Sequence, residues 1–443
     1  MTGKTPLMLV VGLSLSTGLP AFINACHRQG VKVAVMCEPF RRDTHAAQQL
    51  TELYERRLAL ADEYFELPAL DAVRVLGAVR HLSPSFALQG VYAGADRHVE
   101  TVAQVASVYG LPGPGLRAAA ISRNKVMQRL LCERHGVPVP PFTVVSGAEQ
   151  AARFLAGYAP VVAKPCTSSG SDGVRRLDCE ADLVTYTSQA PHFPFLLEKY
   201  LHGREFSIEC LVSDGQPMLT NITAKGKGAE PYFVETLQAV PAQLTEDRRA
   251  ALAELAVKII ELTEMETGIL HLEAVDGADG TVVYPIEWAV REPGHAIMDL
   301  VDWCFGLQAT DYLVALHVGR PLPEVPAKAQ GREAVTVFVD LPPGTIVDVR
   351  QDRDPNTIPG IVDFDFFGRP GDVTDHARDN WNAFGAYSVL AHSRVDLRRA
   401  INELDASFGV LLREPDGREN WWRMSAQVRS EVLGDSYATD GQR

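Results

Sequence analysis

The stretch Val161-Val162-Ala163-Lys164-Pro165-Cys166-Thr167-Ser168-Ser169-Gly170-Ser171-Asp172-Gly173-Val174 constrains this chain more than any other. Its opening Val-Val-Ala predicts a buried strand, and that strand delivers a lysine into a Ser/Gly loop before Val174 resumes extended chain. Successive backbone N–H groups in such a loop close over phosphate oxygens, and an ammonium group neutralises their charge. The same composition also makes an ordinary hairpin connection. The reading therefore depends on what accompanies the loop.

The chain of 443 residues is long enough for several packed subdomains. Its 46% hydrophobic and 22% charged residues place it in the soluble globular class. A formal net charge of -14 argues against a nucleic-acid or anionic-membrane partner. It leaves ATP open, because a few lysines and a metal ion dominate the field in one cleft. Seven cysteines without a Cys-x-x-Cys pair read as reduced thiols of a cytoplasmic protein. Nothing beside Cys166 marks it as a nucleophile. Leu7 to Leu15 is apolar enough to raise a signal peptide, but only Lys4 precedes it. The segment continues as strand, glycine turn, helix and the strand Val31 to Met36, so it is expected to belong to the fold. No other run is long enough to span a bilayer.

Residues 1–118 are expected to form an N-terminal α/β layer, with Val31 to Met36 and Gly90 to Ala93 as buried parallel strands. The glycines of Gly12 to Gly18 do not fit a dinucleotide turn. Residues 119–206 begin with a helix from Lys125 to Arg134, for which Ser122 is the expected cap and Gly136 the stop. They continue through the Lys164 loop to the strand Phe195 to Glu198. Within residues 207–325, the alternation from Glu205 to Val212 predicts a half-buried strand, and Glu246 to Met265 a helix. The strands Gly268 to Val275 and Val282 to Val290 flank a hairpin turn, and a helix is expected from about His295 to Phe305. Residues 326–415 read as a separate α+β module, with Ser393 capping a helix from Arg394, and residues 416–443 as a polar tail.

Carboxylates accompany the lysine loop. Leu197-Glu198-Lys199-Tyr200-Leu201 is followed by Gly203-Arg204-Glu205, so that Glu198 and Glu205 face one cleft or end as solvated charges. His271-Leu272-Glu273 and Ile286-Glu287 lie on the two strands of the hairpin. Pairing brings Glu273 and Glu287 together, and a shared hard cation relieves their repulsion. Arg291, before Glu292-Pro293-Gly294-His295 and a helix start, makes a site for a phosphate or carboxylate, or is a surface residue of a turn.

In this order the motifs resemble the ATP-grasp superfamily, an α/β (α+β) fold with an N-terminal parallel layer, a two-sheet ATP cleft and a C-terminal α+β module. Pro231-Tyr232-Phe233-Val234-Glu235 with Val240-Pro241-Ala242 resembles its L-amino-acid ligase group, which joins amino acids or peptides through an amide bond. The resemblance runs from Met1 to about Leu412. It implies that Lys125 and Lys164 hold ATP phosphates under a lid of Ser168, Ser169, Gly170, Ser171 and Gly173. Glu198 with Lys199, Tyr200 and Leu201 would meet the adenine, and Glu205 the ribose. Glu273 and Glu287 would bind Mg²⁺, or Mn²⁺ in its place. Arg291 would stabilise an acyl phosphate, while Glu235, Gly294 and His295 would face the small-molecule acid and amine substrates. A homodimer is also implied.

One position departs from the family's pattern. Where it reads Glu-x-Asn-x-Arg, this chain has Glu287-Trp288-Ala289-Val290-Arg291, and alanine offers no side-chain oxygen. Either water replaces that ligand, or one metal binds less tightly, or turnover has been lost. Retained catalysis is expected, because both lysines, both glutamates and the arginine persist. The alternatives are an ATP-binding protein without turnover and an ATP-grasp ligase of purine or carboxylase type.

Overall fold

The computed structural model describes residues 4–13, 18–38, 55–82, 84–189, 193–277, 280, 282–294, 296–326, 328–378 and 383–428. His295 lies outside them. The N-terminal layer runs β1 (Thr5–Val11), α1 (Gly18–Arg28), β2 (Lys32–Cys37), β3 (Glu63–Glu66), α2 (Ala72–Leu82), β4 (Phe86–Ala93) and α3 (Val99–Tyr109). Its strands form one parallel sheet in the order β3-β2-β1-β4. Leu7 to Val11 are buried throughout because helices cover both faces of a parallel sheet.

Two helices lead into the cleft: α4 (Leu116–Ser122) and α5 (Lys125–Arg134). The cap of α5 is Asn124, whose side chain accepts from the N–H groups of Val126 and Met127, while Ser122 ends α4. The expected cap at Ser122 is thus corrected. Asn124 immediately precedes the helix, whereas Ser122 Oγ donates to the Ala119 carbonyl at 2.9 Å. A small antiparallel sheet follows, built from β5 (Phe142–Val145), α6 (Ala148–Tyr158), β6 (Val161–Pro165), β7 (Arg175–Leu177), α7 (Glu180–Gln189) and β8 (Phe195–Lys199), in the order β5-β8-β6-β7.

The larger sheet begins with β9 (Gly203–Ser213), β10 (Gln216–Lys227) and β11 (Glu235–Val240). After α8 (Glu246–Thr263) come β12 (Gly268–Gly277), β13 (Val283–Ala289), α9 (Ile297–Phe305) and α10 (Ala309–His317). The C-terminal part adds β14 (Glu333–Phe338), β15 (Gly344–Gln351), β16 (Ile361–Phe366), β17 (Val373–Thr374), β18 (Gly385–Ala391), α11 (Arg394–Ser407), β19 (Phe408–Arg413) and β20 (Glu419–Trp422). Strands β14, β18 and β16 extend the same eight-stranded sheet, ordered β13-β12-β9-β10-β11-β14-β18-β16. The part read as separate therefore shares its backbone ladder with the cleft, and only β17-β15-β19-β20 stand apart. Of the expected polar tail, residues 416–428 need correction, since β20 pairs with β19 and Met424 and Val428 are buried in the C-terminal core, while residues 429–443 lie outside the described residues.

Strand β9 shows why the larger sheet has a polar face. Phe206, Ile208, Cys210 and Val212 pack against Leu252, Leu255, Ala256 and Ile259 of α8. The opposite residues Ser207 and Glu209 are also fully buried, so this strand is not the half-buried one its alternation predicts. The period of two is correct, but the polar face is covered by protein rather than by water. Among the described residues no helix is long and apolar enough to cross a membrane.

Candidate active site

A cleft of about 830 Å³, counting its open mouth, lies between the small sheet and the polar face of the large one. Lys125, Lys164, Ser168, Ser169, Ser171, Glu198, Lys199, Tyr200, Leu201, Glu205, Glu235, Glu273 and Glu287 all line it. Val162, Leu201, Phe233, Val275 and Ile286 supply apolar walls suited to a flat ring.

Strand β6 carries Lys164 beside β8, and its ammonium lies 2.6 Å from Glu198 Oε2. Glu198 is also gripped by Arg129 of α5, which donates from Nε and Nη2 to the carboxylate and from Nη2 to the Ile286 carbonyl. Burial alone would raise the Glu198 pKa, but Arg129 and Lys164 together pull it down to about 2. Next along the chain, the N–H groups of Lys199 and Tyr200 donate to the carbonyls of Pro141 and Pro160.

Lys125, in the first turn of α5, donates to the Ser168 carbonyl at 2.7 Å and meets Glu287 Oε2 at 2.8 Å. The helix start is tied to the loop as well, through Lys125 N–H to Cys166 O at 3.0 Å. Within the loop, Gly170 and Gly173 take φ of +68° and +73°, where only glycine is unstrained, which turns the chain back over the cleft. Ser171 Oγ donates to the Phe233 carbonyl at 2.8 Å, so the lid touches the segment before β11.

Glu273 and Glu287 stand directly opposite each other in the β12–β13 register. Each faces a lysine: Lys225 Nζ lies 2.6 Å from Glu273 Oε1, and Lys125 meets Glu287. Paired carboxylates of this kind fit a hard divalent cation whose shell is completed by phosphate oxygens. Ala289 adds no donor, and among the described residues no three His, Cys, Asp or Glu side chains gather as a metal cluster.

The sequence reading missed four cations. Arg129 anchors Glu198. Lys225 bridges Glu273 and Glu235, 3.0 Å from the latter, and Lys227 meets Glu205 at 2.8 Å. The two glutamates raise the Lys225 pKa against the opposing effect of burial. The signal was available in Thr223-Ala224-Lys225-Gly226-Lys227, which alternates lysines onto one face of a strand. The fourth is Arg123, which shares Asp96 with Arg291. Glu235 also accepts from Gln238 Nε2 at 2.7 Å. Deeper in the sheet, Glu209 accepts from Asn221 and Thr223 and meets His271 Nδ1 at 3.1 Å. His271 Nε2 lies 3.5 Å from Glu273. Burial opposes charging of His271, yet Glu209 and Glu273 carry its pKa up to about 8.

Arg291 follows β13, and its Nε donates to Asp96 Oδ1 at 3.0 Å. Gly294 lies in the loop beyond it, ahead of α9, which starts at Ile297 after Ala296 with φ of +61°. The helix therefore starts later than expected and is not entered at Gly294.

Residues 158–299 match the profile of the ATP-grasp domain family. The uncharacterized protein y4rH of Sinorhizobium fredii is 24% identical over 79% of this chain and 75% of its own length. The L-arginine-specific L-amino acid ligase of Bacillus subtilis is 22% identical over 66% of this chain and 72% of its own. The solved L-amino acid ligase of Bacillus licheniformis superposes with a TM-score of 0.71 at 20% identity, covering 93% of this chain and 100% of that one. The N5-carboxyaminoimidazole ribonucleotide synthetase of Thermotoga maritima superposes with a TM-score of 0.64 at 18% identity, over 92% and 99%. The chain carries an ATP-grasp domain on an ATP-grasp fold.

Proposed function

We propose that this ATP-grasp protein is an ADP-forming carboxylate–amine ligase that joins amino acids or small peptides through an acyl phosphate. The observation that carries the reading is an arrangement: Lys125, Lys164 and the paired carboxylates Glu273 and Glu287 line one cleft, and Arg291 lines a small chamber that shares Lys125 and Glu287 with it. In this reading Lys125 and Lys164 exchange Glu287 and Glu198 for phosphate oxygens, and Lys227 and Glu205 lie by the ribose. Glu273 and Glu287 would hold Mg²⁺ or Mn²⁺, which when bound would supply charge to balance the phosphates.

An acid substrate's carboxylate oxygen bonds to the γ-phosphorus while the β–γ bridging oxygen leaves with ADP. The amine nitrogen then bonds to the acyl carbon and inorganic phosphate departs. Arg291 stabilises the oxyanion formed at that carbon. The Ser168–Gly173 lid excludes water, which would otherwise hydrolyse the acyl phosphate. The lysine and arginine charges are fixed before the reaction begins, so their stabilisation costs no reorganisation.

A coupled assay over pairs of amino acids tests the reading, with amine-dependent release of ADP and phosphate as the expected result. Release of AMP and pyrophosphate would overturn it. Ala289 favours a second reading, an ATP-binding protein without turnover. Calorimetric ATP binding with no ADP formed across the whole panel would establish that one. Turnover with a purine intermediate alone would point to the purine-type ligases instead.

A further inference from the structure

Lys225 pairs with two carboxylates that lie on different strands of the large sheet. The lysine is on β10, Glu235 is on the adjacent β11, and Glu273 is on β12, with β9 between it and the lysine. The lysine side chain therefore crosses β9 to reach Glu273. Ser207 is the β9 residue opposite Glu273, and its small side chain leaves room for that crossing. At a strand spacing of about 4.8 Å, β11 and β12 stand about 14 Å apart. The two glutamates close this gap from either side and meet at one nitrogen, with Glu273 Oε1 at 2.6 Å and Glu235 Oε1 at 3.0 Å. The lysine side chain is 3% exposed, so water scarcely competes for the ammonium.

Glu273 divides its two oxygens. Oε1 accepts from Lys225 and lies 3.5 Å from His271 Nε2. Among the described residues Oε2 has no hydrogen-bond or ion-pair partner, and Glu273 stands opposite Glu287 in the register. One oxygen thus serves the ammonium, and the other remains for an ion shared with Glu287. A carboxylate set between two cations is the arrangement of a two-ion site, in which the cations stand about 3.5–4 Å apart. Here the chain itself supplies one of the two. Glu235 is fixed on its far side as well, where Oε2 accepts from Gln238 Nε2 at 2.7 Å. The Glu287 side offers no matching donor, because Ala289 stands where the family's pattern has asparagine.

We propose that Lys225 is a built-in cation that takes the place of a second divalent ion, so that the site holds a single divalent ion between Glu273 and Glu287. The inference rests on the reading of Glu273 and Glu287 as ion ligands and is independent of which acid and amine are joined. An ammonium is a compact point charge on a flexible stem. It stays with the chain when nucleotide leaves, so its charge does not vary with the metal concentration.

The test counts Mn²⁺ bound to the ADP-loaded full chain by electron paramagnetic resonance, with cooperative urea unfolding as the check on folding. The unaltered chain should bind a single ion and show the signal of an isolated Mn²⁺. Lys225→Met should about double the count and show the broadened signal of a spin-coupled pair, a gain that a merely structural lysine would not produce. Lys225→Arg keeps the charge and should stay at a single ion. Lys225→Met combined with Glu235→Gln should also stay there, because the second ion then lacks a carboxylate. The double variant removes one charge of each sign and so keeps the buried balance. Two ions on the unaltered chain would overturn the proposal, and that measurement needs no variant to fold. A folded Lys225→Met chain that still binds a single ion would overturn it too. If the count depends on Lys225 as described but no amine-dependent ADP release is found, the built-in cation stands and the ligase reading fails. Amine-dependent ADP release with two ions on the unaltered chain would do the reverse.

Discussion

The nucleotide cleft and the chamber behind it handle charge differently. In the cleft, Lys125, Lys164, Lys225, Lys227 and Arg129 each pair with one or two of Glu198, Glu205, Glu235, Glu273 and Glu287. In the chamber two arginines share the single carboxylate of Asp96. The buried charges of the cleft are thus paired within the protein, and in the proposed reading a nucleotide would displace carboxylates from Lys125 and Lys164. Such pairing keeps buried charges tolerable in the free protein.

The largest effect should come from breaking the exchange in the cleft. Lys164→Met and Glu287→Gln should each lower turnover about a thousandfold or more, read as ADP release at saturating ATP. Wild-type rates in either variant would remove that residue from the assigned site. A smaller effect separates the structural pair from the exchangeable ones. Glu198→Gln leaves Arg129 buried without its carboxylate, since Arg129 is only 1% exposed and Glu198 3%. Unfolding stability in urea should fall by about 3–5 kcal/mol. Asp96→Asn should cost less than half of that, because 18% of the Asp96 side chain is exposed.

A pH dependence of comparable size belongs to the buried network beneath the cleft. The pKa of His271 rises from 6.5 to about 8 on folding. A raised value means that the charged form stabilises the fold. The contribution is complete below about pH 6.5 and is lost as pH climbs through about 8. It amounts to about 2 kcal/mol, the free-energy equivalent of a shift of that size. Urea titrations of metal-free protein at pH 6 and pH 9 should show this loss, and His271→Gln should remove it. An equal pH dependence in the variant would assign the titration elsewhere.

The sequence by itself determined the order of the chemistry and much of the local structure. The Val-Val-Ala-Lys strand with its Ser/Gly loop, the hairpin that sets Glu273 against Glu287, and the parallel strands β1, β2 and β4 all follow from composition, turn residues and a period of two. These are short-range rules, and the chain obeys them. Tertiary structure alone decided what each polar group meets. Alternation placed Ser207 and Glu209 on one face of β9 but could not say that His271, Asn221 and Thr223 of the neighbouring strands would satisfy Glu209 instead of water. No local pattern joins Asp96 to Arg291, 195 positions away, or Arg129 to Glu198, 69 positions away. No turn signal announced that β14 would continue the cleft's own sheet by pairing with β11. A side chain's neighbours along the chain fix its direction, whereas its charge partner is fixed by which distant element packs across from it, and here that packing brought Arg123 and Arg291 to one carboxylate.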